Sequence, residues 1–288
     1  MYLCGSMKMK PFFSVFVGFL ILLALSGCKS EFEKIRTSGD PAVMLAKANE
    51  YFASEDYQKA QSLYELVNSS YRGKAEAENI LFNYAYTYYY LRQYVMAAYW
   101  FKNFAQTYGG STKRQDAEFM VGYSNYQMSP TFRLDQTYTH KAIEEFQLFI
   151  NSYPNSPRVD ECNNLIDEMR AKLERKAYEE GVLYFDIRQY QSAIRSFENL
   201  LKDFPETGRV DEVQYMTIKS AYLMAENSFV DKQVERYNDT STRAEEFLVR
   251  FPESKHAKEV SSILDNSKKK LNQLDNVGYQ EQSARAGS

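Results

Sequence analysis

Apolar residues recur along the chain at helical spacing, in blocks of roughly 12–20 residues separated by short polar breaks. Superposing the blocks exposes a register. Tyr57, Ala60, Tyr64, Val67 and Tyr71 stand at relative positions 0, 3, 7, 10 and 14. Tyr94, Ala97, Phe101, Phe104 and Tyr108 repeat it, then Thr139, Ala142, Phe146, Phe149 and Tyr153, then Tyr190, Ala193, Phe197, Leu200 and Phe204. A degenerate fifth copy reads Tyr237, Thr240, Ala244, Phe247 and Phe251. Positions 3, 7 and 10 share one helix face, and the small residue at position 3 admits a neighbouring helix closely. In the last three copies the closing aromatic precedes Pro154, Pro205 or Pro252, which ends one helix and starts the next.

About nine residues before the leading position sits another small residue, Ala48, Ala85 or Gly181, suited to a close helix crossing. In the third copy it is Gly122, displaced by an insertion running from Ser129-Pro130 to Gln136. A helix A and a helix B, each with a small residue, joined by a proline turn, resemble the tetratricopeptide repeat, with spacings longer than that repeat's roughly 34 residues. The pattern predicts an all-α superhelix, a solenoid of five helix pairs over residues 40–275 in which each repeat contacts its neighbours. A capping helix from about Ser254 to Leu274 would close it. Residues 276–288 are polar and aperiodic and are expected to be disordered.

Ahead of the repeats, an apolar run from Phe12 to Leu25 follows Lys8 and Lys10. It falls short of the roughly 20 residues a membrane-crossing helix needs, and it matches the basic start and apolar region of a secretory signal. Its end, Leu25-Ser26-Gly27-Cys28, resembles a bacterial lipobox. The resemblance implies a signal peptide over residues 1–27, cleavage after Gly27, acylation at Cys28, and a lipidated linker over residues 28–39. Lys29, where an inner-membrane sorting signal would carry Asp, favours the outer membrane by the same resemblance.

The net charge of −3 moves to −5 once Lys8 and Lys10 leave with the signal, which gives no electrostatic case for binding nucleic acid or an anionic bilayer. With Cys4 and Cys28 in the signal and anchor, Cys162 is left alone and no internal disulfide can form. His140 and His256 lack metal-ligand spacing and read as solvated helix residues; Cys162 reads as a small packed residue. Glu144-Glu145, Glu179-Glu180 and Glu245-Glu246 diverge around a helix and cannot act as acid/base pairs. Gly109-Gly110-Ser111 is not followed by the Lys-Ser/Thr signature of a phosphate cradle and sits where the other copies turn. These residues give no catalytic, metal or cofactor site, and the chain is not expected to be an enzyme.

The composition is unusual in its 24 Tyr and 19 Phe beside the single Trp100. In the second copy the register turns Leu81, Tyr84, Ala85 and Tyr88 inward and leaves Phe82, Tyr86, Tyr89 and Tyr90 on the opposite side. Phe119, Tyr123 and Tyr126 take the equivalent places in the third copy. These rings either pack against neighbouring elements or line a groove for an extended, aromatic-bearing peptide. Tyr suits the second task through apolar area and a polar tip held at low entropic cost.

More specific segments are Ser129-Pro130-Thr131-Phe132-Arg133-Leu134-Asp135-Gln136, Tyr153-Pro154-Asn155-Ser156 and Asp203-Phe204-Pro205-Glu206-Thr207. In tandem with the lipobox and five repeats, over roughly residues 25–270, the chain resembles the BamD family, lipoproteins of the outer-membrane β-barrel assembly machinery. The resemblance implies a non-enzymatic scaffold on the periplasmic face of the outer membrane. Its partners would be a BamA-like barrel protein with periplasmic domains and unfolded outer-membrane proteins. It would place substrate peptides on the first three repeats, where Phe82, Tyr86, Tyr89, Phe119, Tyr123 and Tyr126 stand. The barrel subunit would dock on the last two, where Arg188, Arg195, Arg209 and Arg236 offer charge-assisted contacts. Two alternatives remain at this level: a helical-repeat lipoprotein that binds a glycan, and an adaptor for cell-wall enzymes.

Overall fold

A computed structural model describes residues 30–286, with side chains through Asp275; the signal segment, the lipobox and Cys28 lie outside the described residues. The described chain is all-α, with twelve α-helices, one short 3-10 turn and no strand. A leading helix α1 (Glu31–Arg36) precedes five pairs. These are α2 (Pro41–Ala53) with α3 (Tyr57–Asn68), α4 (Glu76–Tyr90) with α5 (Tyr94–Thr107), and α6 (Arg114–Gln127) with α7 (Thr137–Ser152). They continue as α8 (Val159–Asp186) with α9 (Tyr190–Asp203) and α10 (Val210–Glu226) with α11 (Val230–Arg250). The last helix, α12 (Ala257–Ala286), packs on α11 and α10. The chain divides into two compact units. The first holds α1 to α6 and residues Glu144–Pro154; the second holds Ser129–Ile143 and everything from Asn155 onward.

The register is visible in the burial. Ala60, Tyr64, Val67, Ala97, Phe101, Phe104, Ala142, Phe146, Ala193, Phe197, Thr240 and Ala244 are all fully buried. So is Ala48 against α3, and so is Ala85 against α5. Gly122 and Gly181 lie flush against rings of the following helix, Phe146 and Phe197. Side-chain volume at these crossings sets how near two helices come.

Two local devices recur at the turns. Between helices A and B of the first, second and fourth pairs the chain turns in three residues with a left-handed middle position: Glu55 (φ 62), Arg92 (φ 58) and Arg188 (φ 61). Each turn closes with the same bonds, as in Gln93 N–H to Tyr88 C=O (2.8 Å) and Arg92 N–H to Tyr89 C=O (2.9 Å), the Schellman arrangement. Between a helix B and the next helix A, a hydroxyl caps the entry: Ser111, Ser156, Thr207 and Ser254 each accept the N–H two residues on. Ser111, Thr207 and Ser254 also donate to an acid of the preceding helix A, at Glu78 (2.7 Å), Glu174 (2.6 Å) and Asp211 (2.8 Å). The hydroxyl thus satisfies a free helix-end donor and fixes the turn to its own pair.

Two boundaries differ from the sequence reading. Helix α11 begins at Val230, seven residues before the leading Tyr237. Helix α12 continues to Ala286, past Leu274 and into the segment expected to be disordered. Extending a helix already nucleated costs little per residue, and Gln, Glu, Ala and Arg in this stretch are good helix formers.

The insertion after α6 is an ordered loop held within the second unit. The Gln136 side-chain amide donates to the carbonyls of Thr131 (2.8 Å) and Leu134 (3.0 Å), and its oxygen accepts from Thr139 (2.7 Å). From α8, Lys172 donates to Ser129, Lys176 to the carbonyls of Phe132 and Leu134, and Arg175 lies 4.3 Å over the Phe132 ring. Burial pushes the Lys172 ammonium below its ordinary value.

Candidate functional site: a tyrosine ladder in the first unit

The surplus rings of α4 and α6 meet. Tyr57, at the start of α3, stacks on Tyr90 at 4.4 Å, and Tyr90 stacks on Tyr86 at 5.7 Å. Tyr89 touches Tyr90 at 5.7 Å and faces Tyr123 at 6.1 Å, and Tyr123 stacks on Tyr126 at 5.8 Å. Rings at i, i+3 and i+4 share a helix face, so Tyr86, Tyr89 and Tyr90 form one side of the ladder, while Tyr123 and Tyr126 form the other. Beneath them lie the fully buried Phe101 and Phe104: Phe82 sits 5.0 Å from Phe104, and Tyr86 sits edge-on 4.8 Å from Phe101.

The ladder is partly open. Tyr90 is 46% exposed, and Phe82, Tyr86, Tyr89, Tyr123 and Tyr126 are half-buried. Phe119 is not part of this surface. It is 2% exposed, stacked under Tyr123 at 5.6 Å and packed on Phe146 and Phe149 at 5.7 and 5.9 Å. Helical periodicity places it on the ladder's face; the two phenylalanines of α7 cover it. It supports the ladder from below.

The polar tips are tuned by their surroundings. Tyr86 donates to Asp116 of α6, a charge-assisted bond that ties the two helices at the ladder's base. Burial pushes the Tyr89 hydroxyl up to about 12 and raises that of Tyr57, so both remain neutral donors at any physiological pH. The Lys113 ammonium stands 5.0 Å over the Phe82 ring and leaves a positive charge at one edge. The surface can offer ring faces, neutral hydroxyls and a flanking cation to an extended chain.

The arginines expected to dock a partner stand on separate segments of the second unit. Arg188 is exposed in the α8–α9 turn, and Arg195 is exposed on α9. Arg209, exposed before α10, lies 5.2 Å over the Tyr178 ring. Arg236 of α11 is half-buried and donates to Ser228, so its charge is partly engaged. The better-fixed cation on this unit is one that the sequence reading passed over: Arg243 pairs with Glu198 and Asp239, both at 2.8 Å. The i, i+4 spacing from Asp239 was the available signal.

Of the remaining singled-out residues, His140 is exposed as expected. His256 is not a solvated helix residue: it precedes α12 and stacks on Tyr215 at 4.0 Å, with interplanar angle 8°. The apolar face of α12 brings it there. Cys162 is fully buried, and burial pushes its thiol up to about 11, so it is a packed residue and a poor nucleophile. Among the described residues no three His, Cys, Asp or Glu side chains are placed to hold a metal, and no helix is long and apolar enough to cross a membrane.

Comparison with known proteins adds the family. The model of the outer-membrane lipoprotein family YfiO matches residues 38–212. No curated protein sequence matches the chain. Among solved structures, the chain is similar to the TPR2AB domain of yeast Sti1 in its pHSP90 complex, at 14% identity and TM-score 0.37, covering 79% of this chain and 98% of that one. It is also similar to a Rap protein complexed with competence and sporulation factor, at 14% identity and TM-score 0.32, covering 93% and 90%. At such scores the repeat assignment rests on the helix pairs themselves. With its helix pairs in tetratricopeptide register and more than half its length matched by one model, the chain belongs to the YfiO family of outer-membrane lipoproteins.

Proposed function

We propose that this lipoprotein is a non-catalytic scaffold of β-barrel assembly, anchored through Cys28 on the periplasmic face of the outer membrane. It receives unfolded outer-membrane proteins on the ladder of Phe82, Tyr86, Tyr89, Tyr123 and Tyr126. It docks a BamA-like barrel subunit through Arg188, Arg195, Arg209 and Arg236. The observation that carries this reading is the ladder itself: half-buried rings in contact from α3 to α6 on a repeat scaffold of an outer-membrane family. Barrel strands alternate apolar and polar residues and carry aromatic residues towards their ends, and a row of ring faces with neutral hydroxyl tips matches such a chain without demanding one sequence.

The test separates the two surfaces. Tyr86→Ala with Tyr123→Ala is expected to weaken binding of barrel-protein C-terminal peptides by on the order of tenfold or more, with association of the barrel subunit unchanged. Arg195→Glu or Arg209→Glu is expected to do the reverse. Fluorescence anisotropy of labelled peptides and co-purification of the barrel subunit measure the two effects. Unchanged peptide affinity in a folded double variant would make the ladder a packing feature only.

A further inference from the structure

Three clefts occupy the same register in three successions of helices. One lies among α5, α6 and α7, one among α9, α10 and α11, and one among α3, α4 and α5. In each, the second helix B contributes the residues six, nine and thirteen positions after its leading residue: Glu145, Leu148 and Ser152; Arg243, Glu246 and Arg250; Trp100, Asn103 and Thr107. In the first two an ion pair bridges the cleft, Lys102 to Glu145 and Glu198 to Arg243, both at 2.8 Å. These clefts are small, about 280 and 260 Å³. In the third the equivalent positions hold Glu65 and Trp100, so no such bridge forms, and the cleft opens to about 630 Å³.

We propose that this third cleft, in the first unit, binds a short carboxylated saccharide. The lining groups set the chemistry. Tyr99 is 57% exposed and packs edge-on against Trp100 at 5.1 Å, a platform for the C–H face of a sugar ring. Asn68 and Asn103 line the cleft with amides that make no side-chain hydrogen bond among the described residues, free to pair with ring hydroxyls. Arg72 and Lys74, both exposed on one lip, supply two cations for a carboxylate. The buried Trp100 Nε1–H has no acceptor among the described residues, an uncommon condition for an indole donor.

An extended acidic peptide fits less well. It would need the cleft to continue along the repeats, and the Lys102–Glu145 bridge occupies the next equivalent position. A few sugar rings fill a volume of this size. The site shares no residue with the tyrosine ladder, so the two can act independently.

Trp100 is the chain's only tryptophan, so its fluorescence reports on this cleft without a label. Titration of the full chain with a short galacturonic-acid oligomer is expected to change that fluorescence saturably. A neutral glucose oligomer is expected to bind at least about tenfold more weakly, and Arg72→Ala with Lys74→Ala to lose about the same factor. Both variant positions are exposed, and circular dichroism checks that the fold is kept. Tyr99→Ala is expected to weaken both sugars. Absence of a saturable change, an equal response to the neutral oligomer, an undiminished response in the folded double variant, or a stronger response to an oligoglutamate peptide would each overturn the assignment.

Discussion

Tyr89 and Tyr123 face each other with ring centroids 6.1 Å apart, and through that contact the tyrosines of α4 meet those of α6. Burial pushes Tyr89 up to about 12, as it does the fully buried Tyr64. Both hydroxyls stay protonated in the fold after their unfolded counterparts, near 10.0, have ionised. Stability is therefore fully present below pH 10 and is lost as pH rises from 10 towards 12. Urea midpoints measured across this range should fall, and Tyr89→Phe with Tyr64→Phe should flatten the decline. A midpoint that holds steady up to pH 12 would contradict the burial of these hydroxyls.

The glycine crossings predict overpacking. A Cβ on Gly122 would lie 2.8 Å from the Phe146 ring, and one on Gly181 would press harder still on Phe197. Neither ring can swing out, because both are fully buried. Alanine gains about 1 kcal/mol of helix propensity over glycine, against an overpacking cost of roughly 1–3 kcal/mol. Gly122→Ala and Gly181→Ala should therefore lower the melting temperature, most at Gly181. Phe197→Leu should recover part of the loss in Gly181→Ala. Unchanged melts for both would refute the close crossings.

Gln136 organises the insertion. It is 5% exposed and spends both ends of its amide on the loop. Gln136→Ala removes three hydrogen bonds at once, at about 1 kcal/mol each, although the Leu134 carbonyl keeps Lys176, the Thr131 carbonyl keeps the Leu134 N–H and the Thr139 hydroxyl keeps Ser129. Faster amide hydrogen exchange over residues 129–139, with α9 and α10 unaffected, is the expected result.

Cys28→Ala tests the anchor. Two or more acyl chains hold a protein on a bilayer far more firmly than one. The variant should take up no labelled fatty acid and should fractionate away from membranes. Retention in the detergent phase would point to a second anchor.

The B helices are legible in the sequence because the first four repeat a small residue and two large apolar ones on one face, and the fifth keeps the spacing with Thr240, Ala244 and Phe247. The positions at 3, 7 and 10 are buried in every copy. Periodicity assigns a residue to a face and says little about depth, so it does not separate Phe119 from Tyr123 and Tyr126. Its burial depends on Phe146 and Phe149, some thirty residues away in sequence. The Lys102–Glu145 and Glu198–Arg243 bridges were hidden for a similar reason: each joins helices B of consecutive repeats, and only a second alignment of register would have paired them. Charge type alone does not distinguish an exposed Arg195 from an Arg236 engaged by Ser228.

The three left-handed turns carry a consequence for how this protein could be made more robust. Glu55, Arg92 and Arg188 occupy a backbone region that costs an L-residue roughly 1–2 kcal/mol and a glycine almost nothing. None of the three side chains enters the core. The chain thus keeps unused tolerance at its hinges: glycine at Glu55 and Arg92 would relax the fold by about 1 kcal/mol each, nearly additively, without altering any face of the repeats. At Arg188 the same change would also remove one of the arginines proposed to dock the barrel subunit, so only there would the gain come at the expense of the partner surface.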